Sequence, residues 1–330
     1  MKAVWFEKNG PASEVLQFGD RPTPAPGPGE VRVRIITSGV NPSDVKRRMG
    51  SPTQKLAFPW AVPNNDGAGV IDRVGAGVDA GRIGERVWLH STGWQRQLGT
   101  GAEFTVTPAH RAFTLPAEVP FEVGAGLGVP AMTAHRAVFG CGPVAGKTVL
   151  VTGGAGAVGF YAIQLARRGG ARVIATVSGD AKAAEARRAG ADELINYKTE
   201  HVAERIKALT GGAGIDHIVE VDFGANLATT LAALKSNGSV ATYASMAAPE
   251  PAIPFYPLMF KNVHLLWVFV YEMPAEAMVA AGRDVNAWLA TGAAVHPQTH
   301  RFAFEQMAAA HLAVEQGAIG KVLVDVSAAD

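Results

Sequence analysis

The sequence lacks features that would indicate an oxidising compartment, a membrane or a nucleic-acid partner. Its 330 residues include one cysteine, Cys141, so neither an internal disulfide nor a thiolate metal cluster can form. The 30 basic and 29 acidic side chains leave a formal net charge of +1 and no basic footprint for nucleic acid. The apolar run 263–270 is too short to span a bilayer and predicts a buried strand. These absences favour a cytoplasmic protein with no membrane segment and no nucleic-acid partner.

The spacing of apolar residues divides the chain into two kinds of domain. Residues 1–120 contain short alternating strands separated by Gly and Pro. After a helical stretch at 121–139, strands and helices alternate, which is typical of a parallel sheet covered on both faces. The predicted fold class is therefore α/β, with a doubly wound parallel sheet domain over 123–265. This domain is inserted into a β-rich domain formed by 1–122 and 266–330.

A glycine-rich loop is the strongest motif in the chain. Gly154, Gly156 and Gly159 form a Gly-x-Gly-x-x-Gly pattern that follows an apolar strand and precedes a helix, the context required for dinucleotide binding. Gly154 is expected to permit the tight turn, Gly156 to admit the pyrophosphate, and Gly159 to let the helix pack closely. The predicted pyrophosphate site is the backbone of Gly154, Ala155, Gly156, Ala157, Val158 and Gly159.

The end of the next strand favours NADPH over NADH. Enzymes that bind NAD usually carry an acidic residue there, whereas this chain has Ser178, which leaves room for a 2′-phosphate. Lys182 and Tyr197 would add a cation and a hydroxyl near that phosphate. Asp180 would favour NADH if it pointed inward, and a solvated helix face remains the alternative role for Lys182.

Several segments resemble the zinc-independent quinone oxidoreductases, the zeta-crystallin-like branch of the medium-chain dehydrogenase/reductase superfamily. Besides the glycine loop, the resemblance covers nearly the whole chain through segments 39–44, 65–70, 130–134, 189–192 and 320–322. It implies a bilobal enzyme with a GroES-like catalytic domain and a Rossmann domain. It further implies NADPH, a quinone bound against the nicotinamide, and a homodimer or homotetramer, for which strand pairing through 263–270 is one route.

The resemblance also assigns roles to individual residues. Asn41 and Asp44 match polar residues of the substrate cleft, and Lys182 and Tyr197 match contacts to the 2′-phosphate. The remaining residues assigned to coenzyme binding are Thr133, Ser178, Ala244, Ser245, Phe269, Val270 and Lys321.

No metal is expected at the site. Zinc-dependent relatives place a Cys where Asn41 stands and a Gly-His-Glu where residues 64–66 read Asn-Asn-Asp. A carboxamide is a poor zinc ligand beside thiolate or imidazole. Several relatives also carry a Tyr where this chain has Lys46, Arg47 and Arg48, which are either a solvated helix end or cations in the cleft. The proton donor therefore stays open.

These observations lead to three functional hypotheses. The first is NADPH-dependent quinone reduction without metal, in which Asn41 orients the carbonyl oxygen and Asp44 holds the hydrogen-bond network. Asn41 could instead be a turn residue before Pro42, and Asp44 a helix cap. The second is reduction of an α,β-unsaturated aldehyde, ketone or thioester. The third is a non-enzymatic, NADPH-responsive nucleic-acid-binding protein, against which the neutral charge argues.

Overall fold

The computed structural model describes residues 1–50 and 56–328, and the chain divides into two compact units. The first comprises Met1–Val129, Gly282–Ala293 and Gln298–Asp330, and the second Pro130–Ala281 with Ala294–Pro297. One unit is β-rich and the other is a parallel α/β sheet domain, so the predicted fold class is confirmed.

The strands and helices follow one another in an order that changes character after the first third of the chain. The first part holds β1 (Lys2–Trp5), α1 (Ala12–Val15), β2 (Gln17–Asp20), β3 (Glu30–Val40), α2 (Pro42–Met49), β4 (Asp66–Val74), β5 (Arg86–Leu89), β6 (Phe104–Pro108) and β7 (Ala112–Thr114). The alternating part holds α3 (Phe121–Phe139), β8 (Thr148–Val151), α4 (Ala157–Arg168), β9 (Arg172–Val177), α5 (Asp180–Arg188), β10 (Glu193–Asn196), α6 (Val202–Leu209), β11 (Ile215–Glu220), α7 (Phe223–Ala233), β12 (Leu234–Thr242), α8 (Phe255–Phe260) and β13 (His264–Trp267). The chain then continues through α9 (Ala275–Ala290), β14 (Thr299–Ala303), α10 (Met307–Glu315) and β15 (Lys321–Asp325).

The first unit is organised around a mostly antiparallel sheet in the order β14-β15-β3-β4-β5-β7, with β6 also paired to β3. Strand β3 is the centre of this sheet because it pairs with β15, β4 and β6. Its residues Val31, Val33 and Ile35 are fully buried. Strand β15 runs antiparallel beside β3, with Val322 opposite Val40. This register brings the C-terminal strand next to the residues that follow β3.

The second unit contains a six-stranded, fully parallel sheet in the order β10-β9-β8-β11-β12-β13. Its central strands are continuous apolar runs because helices cover both faces of a doubly wound sheet. Leu150, Ile174 and Ile218 lie in its core. The carboxyl ends of parallel strands share one edge, which is where ligands bind in such sheets.

The observed boundaries differ from the predicted 122/123 and 265/266. Helix α3 runs unbroken from 121 to 139, and the first boundary falls inside it, between Val129 and Pro130. The second lies after Ala281, because β13 pairs with β12 as the sixth parallel strand and keeps 266–281 in the second unit. Apolar periodicity detects elements, whereas strand pairing decides to which unit they belong.

The run 263–270 does not form the buried strand that its composition indicates. Strand β13 lies at the edge of the parallel sheet, and Trp267 and Phe269 are 61% and 53% exposed. An apolar run alone does not distinguish an inner strand from an edge strand. Within the described residues, no helix combines the length and the apolar character needed to cross a membrane.

Candidate functional site

The glycine loop connects β8 to helix α4 at the carboxyl edge of the parallel sheet, as its motif predicts. The tight turn is made by Gly153, which has a φ of +67°, and not by Gly154 as expected. A Cβ on Gly154 would lie 2.9 Å from Ala175 Cβ and 3.1 Å from Ile163 Cδ1. Gly154 therefore serves close packing between the loop, β9 and α4, and the left-handed residue is the glycine before the motif.

Gly156 and Gly159 differ in the room that the fold leaves for a side chain. A Cβ on Gly159 would lie 2.3 Å from the Gly153 carbonyl oxygen, so only glycine lets the helix approach the loop this closely. A Cβ on Gly156 would meet only the Gly153 oxygen at 3.4 Å, an ordinary contact. Nothing within the fold requires glycine at 156, which leaves close approach of a ligand as its explanation.

The N-terminus of α4 has the character of an anion site. Gly156 is the N-cap and provides no side-chain cap, so the first-turn amides of Ala157, Val158 and Gly159 have no intrahelical acceptor. These amides and the positive end of the helix dipole favour a phosphate group. The residues present thus fit the pyrophosphate of a dinucleotide.

The residues predicted to bind a 2′-phosphate surround the end of β9. Ser178 follows the last residue of that strand, and the Tyr197 amide donates to the Val177 carbonyl at 3.1 Å, so the two positions are neighbours. The Tyr197 ring is 52% exposed. Lys182, in the first turn of α5, has no ion-pair partner among the described residues. Asp180 is exposed at the start of that helix.

The other predicted coenzyme residues of the second unit differ in accessibility. Thr133 is only 4% exposed, on helix α3, and Val270 is buried while Phe269 is exposed. Ala244 and Ser245 follow β12 at the carboxyl edge of the sheet. The Ala244 carbonyl accepts from the Phe223 amide at 2.9 Å, and the Ser245 hydroxyl accepts from the Gly224 amide at 3.0 Å. These bonds fasten the segment 244–245 to the start of α7.

A buried polar network in the first unit contains both predicted catalytic residues. The Asn41 amide nitrogen donates to Asp66 Oδ2 at 2.7 Å, and its oxygen accepts from Lys321 Nζ at 2.6 Å. Lys321 Nζ also lies 3.1 Å from Asp66 Oδ2. Asp44 accepts from the Asn41 backbone amide at 2.8 Å and from Asn65 Nδ2 at 2.6 Å. All five side chains are at most 2% exposed, so solvent screens the charges of the network little.

The alternative role for Asp44 is also present in the structure. At the start of α2 the Asp44 carboxylate accepts from the backbone amide of the N-cap residue Asn41, which is one half of a capping box, and Pro42 lies in the first turn. Asp44 therefore caps the helix and joins the network through Asn65 at the same time. The cap explains why the two residues share a fixed geometry.

Lys321 is the clearest difference from the sequence-based assignment. It was grouped with the coenzyme residues, but its ammonium is held between Asn41 and Asp66 inside the first unit. The register of β15 beside β3 places it there, and sequence separation hid that register. Asn65 also belongs to the network but was missed as a functional candidate, because only its pairing with Asp44 reveals it.

Asp44 titrates at an unusual pH because of where it lies. Burial, and then the negative charge of Asp66, raise the pKa of Asp44 to about 6, against hydrogen bonds from Asn41 and Asn65 that oppose the shift. Because the folded pKa exceeds the unfolded value, stability from the neutral form is fully present below the unfolded pKa and is lost as pH rises through 6.

The variant Asp44→Asn should therefore gain stability relative to the wild type as pH rises. A shift of this size changes the stability difference between the two proteins by about 2 kcal/mol from pH 4 to pH 7, in addition to the pH-independent effect of replacing one acceptor oxygen. Urea denaturation of both proteins across this range measures the difference. A difference in unfolding free energy that stays constant with pH would show that Asp44 does not titrate as argued.

The three cations at 46–48 separate into different environments. Lys46 is exposed at the end of α2, whereas Arg48 is fully buried and pairs with Glu315 and the Gly10 carbonyl. Arg47 donates to the Arg96 carbonyl at 2.6 Å. Only the first fits a solvated helix end, and the other two hold neighbouring segments together.

His296 and His300, two histidines four residues apart, do not converge on a common point. His296 lies 3.3 Å from the Tyr161 hydroxyl, and His300 bonds to the Ile319 carbonyl at 2.9 Å. Burial, followed by the charge of Arg188, lowers the pKa of His296 to about 4. Each imidazole thus has a packing role within its own unit.

Two family models match the chain in the units just described. Residues 27–117 match the alcohol dehydrogenase GroES-like domain, and residues 157–283 match the zinc-binding dehydrogenase domain. The second name describes a family; its matched range begins at 157, within the glycine loop, and contains none of residues 41, 65 or 66.

Two relatives similar in sequence and one solved structure place the chain in context. The chain is 31% identical to human quinone oxidoreductase, over 98% of this chain and 97% of the human one. It is 33% identical to a 2-haloacrylate reductase of a Burkholderia species, over 74% and 72% of the two chains. The crystal structure of Escherichia coli quinone oxidoreductase complexed with NADPH superposes with a TM-score of 0.85 at 25% identity, covering 98% of this chain and 100% of that one.

Proposed function

Because the chain belongs to the quinone oxidoreductases of the medium-chain dehydrogenase/reductase superfamily, and is thus an oxidoreductase, we propose that it reduces a quinone with NADPH and without zinc. The observation that carries the proposal is the Asn41 amide, fixed by Lys321 and Asp66 at the centre of the buried network. A carboxamide and an ammonium suit a carbonyl acceptor and are not zinc ligands.

The coenzyme is held by the second unit in this proposal. The uncapped N-terminus of α4 binds the pyrophosphate, and Ser178, Lys182 and Tyr197 bind the 2′-phosphate. NADPH supplies the hydride when bound. The NADPH complex of the Escherichia coli relative supports this choice of coenzyme.

The first unit binds the acceptor. Asn41 donates its second Nδ2 hydrogen to the acceptor oxygen and stabilises the negative charge that develops there. Asp44 and Asn65 keep the start of α2 in place. A quinone gains aromaticity when reduced, so orientation, exclusion of water and one such donor are sufficient tasks for the protein.

Steady-state oxidation of NADPH with an ortho-quinone, a para-quinone and an enal tests the function. We expect turnover with at least one quinone, unchanged after removal of divalent metals with a chelator. If no quinone is reduced, the proposal is wrong. If activity requires stoichiometric zinc, its metal-free part is wrong.

Reduction of a conjugated carbonyl is the second candidate, and the 2-haloacrylate reductase relative favours it. The hydride would then go to the β-carbon, with the same amide donor on the carbonyl oxygen. A higher kcat/KM for the enal or for 2-chloroacrylate than for both quinones would select this reading.

Replacing Lys182 should change the preference for the coenzyme. Lys182→Gln is expected to weaken NADPH binding about tenfold and leave NADH binding unchanged, because only NADPH carries the 2′-phosphate. Arg187→Gln removes the same charge from an exposed position on α5 and serves as the matched control. If both variants weaken NADPH binding equally, the loss comes from the change in net charge and not from a contact between Lys182 and the 2′-phosphate.

The exposed edge of the parallel sheet supports self-association, and we propose a homodimer paired through β13. Trp267 on β13 is an exposed aromatic at this edge, and the preceding helix α8 adds the exposed apolar side chains of Phe255, Tyr256, Met259 and Phe260. Trp267→Glu should convert a dimer into a monomer in sedimentation analysis, with Phe18→Glu, an exposed aromatic of the other unit, as the control. A wild-type monomer at micromolar concentration would contradict this. The cytoplasmic location stays a prediction.

A further inference from the structure

We propose that Lys321 is a positioning residue for the hydride acceptor, acting through the Asn41 amide and not on the coenzyme. The inference deepens the proposed function and rests on it for the identity of the acceptor. It gives Lys321 a task different from the coenzyme contact that the sequence predicts.

The first argument is the orientation of the Asn41 amide. Lys321 Nζ donates to its oxygen at 2.6 Å, and its nitrogen donates to Asp66 Oδ2 at 2.7 Å. Rotating the amide by half a turn would set its NH₂ group against an ammonium and its oxygen against a carboxylate. The two ionic partners therefore hold one orientation, which leaves the second Nδ2 hydrogen for a ligand.

The second argument is that the fold builds this contact specifically. Strands β3 and β15 pair with Val322 opposite Val40, so Lys321 and Asn41 continue the same register. A Cβ on Gly39 would lie 3.0 Å from Lys321 Cε and 2.1 Å from the Ala125 carbonyl. A Cβ on Gly128 would lie 2.1 Å from Asp66 Oδ1, which accepts from the Val129 amide at 2.8 Å. Two glycines thus make room for the lysine and for the carboxylate that anchors it.

The charge of the Lys321 ammonium also affects the Asn41 amide. The ammonium is 2% exposed, so little solvent screens it from the amide oxygen. A cation on the oxygen polarises the amide and strengthens its N–H as a donor. The strengthened donor matters most when the acceptor oxygen becomes negative, which is the condition for lowering a barrier. Lys321 thereby acts on the acceptor through the amide without contacting it.

A double-mutant cycle on Lys321→Met and Asn41→Ala tests the inference. With the best acceptor, each single variant should lower kcat on the order of 30- to 100-fold and leave the Kd for NADPH within about twofold. The double variant should be no slower than the slower single variant, because both changes remove one shared interaction. Multiplicative losses in kcat would show that Lys321 does not act through Asn41. A Kd for NADPH weakened tenfold or more at unchanged kcat would return Lys321 to the coenzyme.

Two further measurements keep the result interpretable. If Lys321→Met folds poorly, the double variant Lys321→Met/Asp66→Asn removes both charges of the buried pair. This variant should fold and show the same loss of kcat. Solvent exchange of the Asn41 side-chain amide, followed by ¹⁵N NMR, needs no substrate. Exchange at least tenfold faster in the Lys321 variant supports positioning, and unchanged exchange overturns it. A wild type that reduces no acceptor refutes the proposed function, while the exchange rates still decide the role of Lys321.

Discussion

Gly156→Ala should weaken NADPH binding on the order of 100-fold, about 2.7 kcal/mol, while the melting temperature stays close to that of the wild type. The added Cβ meets only the Gly153 carbonyl oxygen at 3.4 Å, so the folded chain accepts it. The methyl group would instead occupy the space through which the pyrophosphate approaches the first-turn amides of α4. Titration of NADPH fluorescence and a thermal melt of the same sample measure both effects.

Gly159→Ala is the matched control for that variant. It adds the same methyl group three residues further on, where its Cβ would lie 2.3 Å from the Gly153 carbonyl oxygen. This change should lower stability as well as affinity, since the loop and helix must separate. If Gly156→Ala binds NADPH as tightly as the wild type, the loop does not hold the pyrophosphate in the proposed manner.

The largest stability effect is expected for Asp66→Asn, at about 3–5 kcal/mol. The substitution leaves the Lys321 ammonium, 2% exposed, beside a neutral group. It also weakens the acceptor for the Asn41 amide and for the Val129 backbone amide. Chemical denaturation of the variant gives the loss directly.

Two further variants test whether the unpaired charge of Lys321 causes this loss of stability. Lys321→Met in the Asp66→Asn background should restore a substantial part of the loss, because no unpaired charge then stays buried. Asp20→Asn breaks the exposed pair with Lys2 and should change stability little, because solvent screens both charges. A loss from Asp66→Asn no larger than the loss from Asp20→Asn would contradict the account of the buried network.

The polar network depends on contacts that the sequence does not predict. The family resemblance predicts Asn41 and Asp44, which belong to one local segment and lie three residues apart at the start of α2. The partners of Asn41 lie 25 and 280 residues away. No local pattern marks such pairs, since they arise from β15 pairing with β3 and from α3 passing close to Asp66.

The glycine motif gives a second example at shorter range. The loop was located correctly from the strand before it and the helix after it, yet the left-handed residue is Gly153 and not Gly154. The motif indicates which positions must lack a side chain. Whether the cause is backbone conformation, packing or ligand approach depends on the neighbours of each Cα, which are known only in three dimensions.

The sequence by itself determined the two-unit α/β architecture, the dinucleotide loop and the candidates at its edges, because local periodicity and turn chemistry specify strands, helices and their junctions. Only the tertiary structure decided that 263–270 is an edge strand, that the first unit ends within α3, and that Lys321 is buried against Asn41 and Asp66. The physical reason is that pairing between distant strands determines which side chains become neighbours. The chemistry of a buried charge depends on those neighbours and not on its position along the chain.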